Sequence, residues 1–487
     1  MSQEVRNLEP KAIWENFADL NEIPRGSKKE KKAEIFLEEF GEKLGLETFV
    51  DKVGNVIVKK PATKGMEDRK TVVLQSHYDM VHQKNSDTDF DFDTEGIKML
   101  IDEGWVTADG TTLGADNGIG VASIMALLES KDIPHPALEA LFTSDEETGM
   151  TGAFGLEGGL LEGDILLNLD TEDDDELTVG CAGGIDTTSK REYDLEDVPE
   201  NSVAYSITVR GLKGGHSGMD INLGRANANK VMNRLMYEGY TNFGLRIHSI
   251  DGGSLRNAIP RESFAVVTVD EISKDAFITE TAILVNNIKS EFALTEPTME
   301  VVIEETEIPA NVMEIGVQEG VIRAIYACFN GMYRMSDSID GLVETSSNLS
   351  RIIVKDGEFE AQALQRSSIE VGKMDVAYTV RTAFELAGCD VEHAGSYPGW
   401  QPDMESSILH EMKGLYKEMF KVDVKVLACH AGLECGILGT NYPDVEMISF
   451  GPTINNPHSP DERVNIESVS KYWGYLLETL KRTPKKA

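Results

Sequence analysis

The sequence predicts an α/β protein made of two folded domains, one inserted into the other. A chain of 487 residues is longer than a single hydrophobic core usually organises. Between residues 71 and 170, buried-type strands alternate with helical stretches, which is the pattern of an α/β sheet. From about Gly184 to Tyr397 the pattern changes to alternating strands, helices and more varied turns. We therefore predict a first domain of residues 1–184 and 398–487, interrupted by an α+β domain of residues 185–397.

The first domain is expected to contain a sheet that the carboxyl-terminal part of the chain completes. Apolar residues at near-helical spacing predict a helix over residues 29–45, and the NVIVKK stretch after it is typical of a strand. Further helices are expected from Gly118 to Leu128 and from about Ile466 to Leu480. The buried-type strands are TVVLQ, ALEALF, DILLNL and VEMISF.

The inserted domain contains amphipathic strands and helices in a different arrangement. Its strands include SVAYSITVRG and SFAVVTVD, and a helix is expected over ANANKVMNRLMYEG. The length and element order of residues 185–300 and 300–397 suggest a duplicated α+β unit, although the sequence has no clear fixed-period repeat.

Composition excludes several classes of partner. The chain has 46 Lys and Arg residues against 84 Asp and Glu residues, and its net charge of −38 would repel nucleic acids and anionic membranes. No window reaches the roughly 18 apolar residues that a membrane span requires. The five cysteines are scattered without a CxxC pair, which is typical of reduced thiols. Together with the polar amino terminus, these features predict a cytoplasmic protein.

Potential metal ligands follow the ends of the predicted strands. His77 comes directly after TVVLQS, and Glu147 follows ALEALFTSDE. Asp170 follows DILLNL, and His458 lies in the loop after VEMISF. The carboxyl ends of strands in an open α/β sheet border the crevice where ligands bind, so these side chains are expected to meet there.

Asp116 adds a fifth group at the start of a predicted helix, within the segment GADNGIG. Taken alone, it is equally well explained as a residue that caps the helix. Glycines at positions 114, 118 and 120 either allow close approach of the backbone to whatever Asp116 binds or serve tight helix packing.

A set of two imidazoles and three carboxylates matches zinc or a similar divalent ion. Five protein ligands exceed what one catalytic zinc needs, whereas two ions about 3.5 to 4 Å apart would use all of them. The bridging ligand should be a carboxylate, because each of its oxygens can bind one ion, and we assign this place to Asp116. The predicted metal ligands are His77, Asp116, Glu147, Asp170 and His458.

Two further acids are expected to act beside the metals. Glu146 precedes a metal ligand and is assigned as the general base that takes a proton from the attacking water. Asp79, two residues after His77, is expected to hydrogen-bond that imidazole and fix its tautomer. The alternative for any single acid is a solvated surface carboxylate.

Several motifs resemble those of the M20 metallopeptidases and, within them, the bacterial aminoacyl-histidine (Xaa-His) dipeptidases. The resemblance covers nearly the whole chain, and its ordered motifs are too many for chance agreement. They are SHYDMV (76–81), LGADNGIG (113–120), SDEETGMTG (144–152), NLDTED (168–173), GGHSGMDI (214–221), HAGLECGIL (430–438) and NPHSPDERV (456–464).

The resemblance implies a zinc-peptidase-like α/β domain with a mixed sheet flanked by helices, interrupted by a lid domain through which some members dimerise. It implies His77, Asp116 and Asp170 on one metal and Asp116, Glu147 and His458 on the other, with His77 and Asp170 as the ligands whose ion is least certain. Glu146 would be the general base and Asp79 the orienting acid. The cofactor implied is a pair of divalent ions, with zinc first and cobalt or manganese as alternatives.

Candidate substrate-binding residues come mainly from the second domain. The resemblance implies that His216 contacts the substrate or polarises its scissile carbonyl, and Asn257 is a weaker candidate for the same carbonyl. Glu434 is a candidate for the substrate amino group, although it and His430 could instead support the crevice wall. The sequence does not rank the candidate carboxylate anchors, which are Arg351, Arg366 and Ser347.

The leading hypothesis is metal-dependent hydrolysis of dipeptides with a free amino terminus, including β-alanyl-histidine, by a homodimer or a monomer. One alternative is a related aminoacylase or tripeptidase with the same metal site. Another is a non-catalytic metal-binding protein that reuses the fold. The unligated acids Asp79 and Glu146 argue against metal storage, because storage requires no positioned base.

Overall fold

The computed structural model describes residues 2–486, which form two compact units. Residues 2–180, 402–428 and 434–486 belong to the first unit, and residues 181–401 and 429–433 belong to the second. The transitions lie close to the boundaries drawn from the sequence at 184 and 397. Residues 429–433, which the sequence analysis placed in the first domain, are counted with the second unit. Within the described residues, every helix is too short or too polar to cross a membrane.

The first unit is built around a mixed sheet. In spatial order its strands are Glu47–Val50, Val56–Lys60, Leu138–Thr143, Val72–His77, Ile165–Asn168, Glu446–Ser449, Glu176–Cys181 and Lys425–Cys429. The central neighbours Leu138–Thr143, Val72–His77, Ile165–Asn168 and Glu446–Ser449 run parallel to one another. Their apolar residues are buried along their length, as expected for parallel strands that are covered on both faces. The predicted strands therefore form the centre of the sheet.

Helices and a smaller antiparallel sheet complete the first unit. The helices are Ser2–Val5, Lys11–Asn21, Lys31–Lys43, Ala115–Glu129, Glu146–Gly149, Thr151–Gly155, Ser407–Phe420, Glu434–Asn441 and Ile466–Arg482. The strands of the smaller sheet are, in spatial order, Ile454–Asn455, Arg463–Asn465, Trp105–Ala108 and Met99–Asp102. The helix Ala115–Glu129 is apolar on all sides because it packs against both the strand Val72–His77 and the helix Lys11–Asn21.

The second unit contains an antiparallel sheet with four long helices. In spatial order the strands are Glu300–Thr306, Ser202–Arg210, Ser263–Asp270, Arg246–Gly253, Val343–Lys355, Glu358–Ser367, Gly183–Glu192 and Asp390–Tyr397, with Gly331–Met335 paired to Val343–Lys355. The helices are Ala228–Phe243, Lys274–Glu291, Ile315–Ala327 and Glu370–Glu385. Two short ribbons pair Leu195–Asp197 with Asn311–Met313 and Gly215–His216 with Ala258–Ile259.

The second unit is a duplication of one β-α-β-β-α-β motif. One half comprises Ser202–Arg210, Ala228–Phe243, Arg246–Gly253, Ser263–Asp270, Lys274–Glu291 and Glu300–Thr306. The other comprises Gly183–Glu192, Ile315–Ala327, Val343–Lys355, Glu358–Ser367, Glu370–Glu385 and Asp390–Tyr397. Both halves have the sheet order 4-1-3-2. The division suggested at residue 300 was therefore wrong for two strands. Gly183–Glu192 precedes the first half in the chain but belongs to the second, and Glu300–Thr306 follows the division but belongs to the first.

Glu446 joins a central strand to the start of a helix in the first unit. Its carboxylate accepts hydrogen bonds from the Ser407 hydroxyl at 2.8 Å and from the Ile408 N–H at 3.0 Å, at the beginning of the helix Ser407–Phe420. It also lies 3.0 Å from the Lys70 ammonium group. Partial burial opposes ionisation, but the bonds from Ile408, Lys70 and the neighbouring serines lower the pKa of Glu446 to about 2.

We expect Glu446→Gln to lower the free energy of unfolding at pH 7 by about 1 kcal/mol, the usual value of a helix-capping interaction. Because the pKa in the folded state is depressed, this stabilisation is present above about pH 4.5 and is lost as the pH falls towards 2. Thermal unfolding midpoints of the metal-free protein at pH 7 and pH 3 would measure both effects. The exposed Glu405→Gln serves as the control. An equal gap between wild type and Glu446→Gln at both pH values would contradict the expectation.

Candidate functional site

The ends of the parallel strands bring the predicted metal ligands together. His77 is the last residue of its strand, and Asp170 follows Ile165–Asn168 by two residues. Glu147 lies in the short helix that follows Leu138–Thr143. His458 lies in the hairpin loop between Ile454–Asn455 and Arg463–Asn465, after the strand Glu446–Ser449. The neighbouring strand ends therefore place these side chains on one edge of the sheet.

Asp116 lies at the centre of this cluster. Its Oδ1 atom is 3.1 Å from Nε2 of His77, and its Oδ2 atom is 3.2 Å from Nε2 of His458. Asp170 approaches the same nitrogen of His77 at 3.5 Å, and Glu147 approaches Nε2 of His458 at 2.9 Å. Each oxygen of Asp116 thus faces a different imidazole.

The ligand atoms form compact groups that share Asp116. One group consists of His77, Asp116 and Asp170, and another of Asp116, Glu147 and His458, with the atoms of each group within 4.8 Å of one another. These are the same two sets that the family resemblance implies. A third group joins His77 and Glu147 to Glu146.

The backbone around Asp116 is irregular, although it lies inside a helix. Asp116 and Asn117 have non-helical dihedral angles, and the peptide bond between them is cis. Helix capping was the alternative explanation for Asp116. Its side chain instead points towards the two imidazoles, and no cap hydrogen bond is made at Gly114, the residue that precedes the helix.

Asp79 lies against the imidazole of His77 and holds the turn that carries the two glutamates. Its Oδ1 atom lies 3.2 Å from Nδ1 of His77 and accepts the backbone N–H of Glu146 at 3.0 Å. Its Oδ2 atom accepts the N–H of Glu147 at 3.3 Å and the hydroxyl of Ser27 at 2.7 Å. Asp79 is fully buried, so this carboxylate is a fixed support beneath the cluster.

The imidazoles are strongly basic in this acidic surrounding. Burial alone would lower the pKa of His77, but Asp170, Asp116 and Asp79 raise it well above its usual range. Hydrogen bonds to Asp116 and Glu147 raise the pKa of His458 to about 11. The cluster therefore favours positive charge at the positions next to its carboxylates.

The donor set fits divalent metal ions. Its atoms are imidazole nitrogens and carboxylate oxygens, which are the ligands of zinc and related ions. Among residues 2–486, Oε1 of Glu147 is buried without a hydrogen-bond partner. The buried Arg25 does not neutralise the acids by direct contact, because the hydrogen bonds it donates go to backbone carbonyls and to Asn21. A cation held between the carboxylates would satisfy this arrangement.

Glu146 differs from the ligands in its place beside the cluster. It is half-buried beside His77 and Glu147, and burial, followed by the nearby Asp170 and Glu434, raises its pKa well above its usual range. Its backbone is tied to Asp79, whereas its carboxylate is outside the two groups that share Asp116. The carboxylate of Glu146 thus lies next to His77 and Glu147 but belongs to neither of the two groups that contain Asp116.

The glycines around Asp116 serve packing. A side chain at Gly114 or Gly118 would collide with the guanidinium of Arg25, and Gly114 also has a left-handed backbone with φ of 70°. Gly120 lies against Ser76 and the carbonyl of Leu169. Of the two explanations given for these glycines, close packing is therefore the one supported.

His216 and Asn257 lie side by side in the second unit. His216 pairs with Ala258 in a two-stranded ribbon, and the N–H of Ser217 donates to the backbone carbonyl of Asn257 at 2.8 Å. Nδ1 of His216 accepts two backbone N–H groups, from Gly218 at 3.1 Å and Met219 at 3.0 Å. The neutral ring therefore carries its proton on Nε2, which makes this atom a hydrogen-bond donor. Burial and then Arg366 lower the pKa of His216, which favours the neutral ring.

The three candidate carboxylate anchors differ in their surroundings within the second unit. Ser347 is fully buried, and Arg351 is engaged by Asp251 and the carbonyl of Gly253. Arg366 lies beside the His216 turn, with Nε 3.5 Å from the hydroxyl of Ser217 and a second nitrogen donating to Tyr397 at 2.7 Å. Arg366 is therefore the strongest of the three.

Glu434 and His430 are buried polar residues. Glu434 is 1% exposed, and its Oε2 accepts hydrogen bonds from Gln75 at 2.6 Å and Thr143 at 2.8 Å. Burial raises the pKa of Glu434 to about 7. His430 contacts the hydroxyl of Ser346 at 2.8 Å, and burial lowers its pKa to about 3. Oε1 of Glu434 is buried without a hydrogen-bond partner among the residues that the structure describes. Support of the crevice wall and binding of a substrate amine therefore both stay predictions for Glu434.

Sequence reasoning missed three residues that hold the cluster from behind, namely Arg25, Ser27 and Glu462. Arg25 and Ser27 come from one loop, and Glu462 follows His458 in the hairpin loop. Two features of the sequence could have pointed to them. Glu462 lies within the motif NPHSPDERV, and Arg25 and Ser27 lie in the segment PRGS, next to Pro and Gly.

Known proteins resemble this chain over its full length. Over 99% of this chain and the full length of the relative, the sequence is 42% identical to the cytosol non-specific dipeptidase of Escherichia coli (strain K12). The crystal structure of an aminoacylhistidine dipeptidase from Vibrio alginolyticus superposes with a TM-score of 0.95, at 43% identity and complete coverage of both chains.

A more distant structure shares the fold. The aminopeptidase PepT from Bacillus cereus ATCC 10987 matches with a TM-score of 0.55 at 16% identity, covering 97% of this chain and 98% of that one. Residues 73–482 match the sequence profile of peptidase family M20/M25/M40. This match, together with the full-length relatives, shows that the chain belongs to peptidase family M20/M25/M40 and is a peptide hydrolase.

Proposed function

We propose that this chain is a cytosolic metallodipeptidase that hydrolyses dipeptides with a free amino terminus, including Xaa-His dipeptides such as β-alanyl-histidine. The observation that carries the proposal is the position of Asp116, whose two oxygens face different imidazoles while Glu146 lies beside them. The names of the two full-length relatives support a dipeptidase, and one of them names aminoacyl-histidine substrates. A homodimer formed through the second unit stays a prediction from the family resemblance.

Two divalent ions would be held by the two groups of side chains that share Asp116. Zinc is the first choice for this donor set, with cobalt and manganese as alternatives. Bound there, such ions supply Lewis acidity that polarises a carbonyl group and acidifies water. The chain's own residues then have to bind the substrate, orient it and move protons.

Glu146 is the proposed general base. It accepts a proton from the attacking water on its carboxylate and transfers this proton to the leaving amine as the peptide bond breaks. Asp79 fixes the place of this carboxylate, because it binds the backbone N–H of Glu146 at 3.0 Å. It also orients the His77 ring from the side opposite to Asp116 and Asp170.

His216 is the proposed donor to the substrate carbonyl. Its Nδ1 atom is occupied by two backbone N–H groups, so Nε2 keeps the proton and can donate to an oxygen that becomes negative during hydrolysis. Arg366, next to the same turn, is the proposed partner of the substrate carboxylate. Asn257, exposed on the paired ribbon, is a weaker candidate for the carbonyl.

We expect Glu146→Gln to keep its metal content and to lose turnover by about 10²- to 10⁴-fold, because the amide cannot accept the proton. Metal analysis of the purified protein beside kcat measurements would test this. His77→Ala should instead lose metal, since it removes a ligand. Glu157→Gln, an exposed change of the same kind, is the control. Wild-type turnover in Glu146→Gln would refute the assignment of the base.

A substrate panel after chelation and addition of zinc, manganese or cobalt should show metal-dependent cleavage of dipeptides, including Xaa-His. Blocking the amino group should abolish cleavage. If N-acetyl amino acids were hydrolysed far faster than dipeptides, the chain would be an aminoacylase, and faster cleavage of tripeptides would make it a tripeptidase. Metal binding with no hydrolysis of any substrate would favour a non-catalytic protein.

We expect His216→Ala to reduce kcat by about 10²- to 10³-fold, the usual loss when one donor to a developing oxyanion is removed. The KM should change much less, because the interaction strengthens only as negative charge develops. Steady-state kinetics on one good dipeptide would measure both, with the exposed His410→Ala as the control. Unchanged kinetics in His216→Ala would remove this role.

A further inference from the structure

Glu462 is a buried acid on an otherwise exposed loop. It lies in the same hairpin loop as His458, and it is 2% exposed whereas its neighbours Asp461 and Arg463 are exposed. The residue is not among those grouped as potential metal ligands. Its side chain must therefore have another reason to turn inwards.

The carboxylate of Glu462 accepts four successive backbone N–H groups of the turn that leads to Asp116. Its Oε2 atom accepts from Leu113 at 2.8 Å and from Gly114 at 3.0 Å. Its Oε1 atom accepts from Ala115 at 2.7 Å and from Asp116 itself at 3.3 Å. One side chain thus connects the loop bearing His458 to the turn bearing Asp116.

Arg25 holds the same turn from its carbonyl side. Its guanidinium is fully buried and donates to the carbonyl of Gly114 at 2.6 Å. It also donates to the carbonyls of Tyr78 at 3.2 Å and Asp79 at 3.0 Å, directly after His77. Arg25 thereby connects the turn bearing Asp116 to the strand end bearing His77.

The electrostatic surroundings oppose a negative charge at Glu462. Its carboxylate is 2% exposed and lies against the turn that carries the acidic Asp116. A carboxylate in such a place is destabilising unless its hydrogen bonds are fully used. The four N–H groups of the turn are the donors that use its hydrogen-bonding capacity.

We propose that Glu462 is a positioning residue of the metal centre, which keeps the two oxygens of Asp116 directed at His77 and His458 by holding the Asp116 turn against the His458 loop. This inference rests on the metal centre proposed above. Glu462 does not touch the ions or the substrate. Glu462 connects the segments that carry Asp116 and His458. Arg25 connects the segment that carries Asp116 to the one that carries His77.

Replacement of Glu462 should therefore lower the metal affinity by more than the loss of folding stability alone would explain. Removal of a residue that orients metal ligands typically lowers affinity or activity by about 10- to 100-fold. Glu462→Gln replaces one acceptor oxygen by an NH₂ group that faces N–H donors, so at least two of the four hydrogen bonds are lost. Glu462→Asp keeps the charge but withdraws the carboxylate by one methylene group, and an intermediate loss is expected.

The test is titration of the chelator-treated full chain with Zn²⁺, using competition with a chelator of known affinity, for wild type, both Glu462 variants and Asp461→Asn. Asp461→Asn removes the same charge from the same loop at an exposed position and is the matched control. Thermal midpoints are recorded with and without Zn²⁺. A residue that only stabilises the fold would lower both midpoints equally, whereas a positioning residue reduces the rise caused by the metal.

We expect Zn²⁺ affinity to fall by about 10- to 100-fold in Glu462→Gln, less in Glu462→Asp, and not in Asp461→Asn. Wild-type affinity in a folded Glu462→Gln would overturn the inference, however much its stability falls. If Glu462→Gln does not fold, wild-type affinity in Glu462→Asp does the same. A wild-type chain that binds fewer than two ions would instead contradict the proposed function, so the two failures are distinguishable.

Discussion

The crowding of carboxylates at one sheet edge is the constraint on which the rest of this structure depends. Two like charges about 4 Å apart repel by about 4 kcal/mol at an effective dielectric constant of about 20. A carboxylate oxygen of Asp116 lies within 4.8 Å of one of Asp170 in one group, and within 4.8 Å of one of Glu147 in the other. Such an arrangement is stable only if positive charge lies between the acids and if their backbones are held firmly. The buried hydrogen bonds of Asp79 and Arg25 supply that support.

Much of this centre could be predicted because its ligands follow directly from local sequence. His77 and Asp170 are adjacent to buried apolar strands, and strands of this type in an alternating α/β pattern end at a common edge. The supporting residues could not be found in this way. Arg25 and Glu462 act on a turn that lies 89 and 349 residues away in the sequence, and nothing local distinguishes them from other charged residues. The burial of Glu434, with one carboxylate oxygen left without a partner in the described part of the chain, is likewise something that sequence alone does not report.

The duplication in the second unit shows a different limit of sequence analysis. Two copies of one motif were suspected from length and element order, but the assumed boundary treated each copy as a continuous segment. The strand Gly183–Glu192 belongs to the later copy, where it pairs with Glu358–Ser367 and Asp390–Tyr397. Nesting of this kind leaves the hydrophobic pattern of each strand unchanged. Only the pairing of strands reveals it.

The central place of Glu446–Ser449 in the first sheet has a consequence for the newly synthesised protein. This strand fits between Ile165–Asn168 and Glu176–Cys181, yet the ribosome produces it only after the entire second unit. The loop with His458 follows later still. A nascent chain therefore exposes an open gap in its sheet until residues 446–449 have been synthesised, and the proposed metal centre stays incomplete until the His458 loop follows.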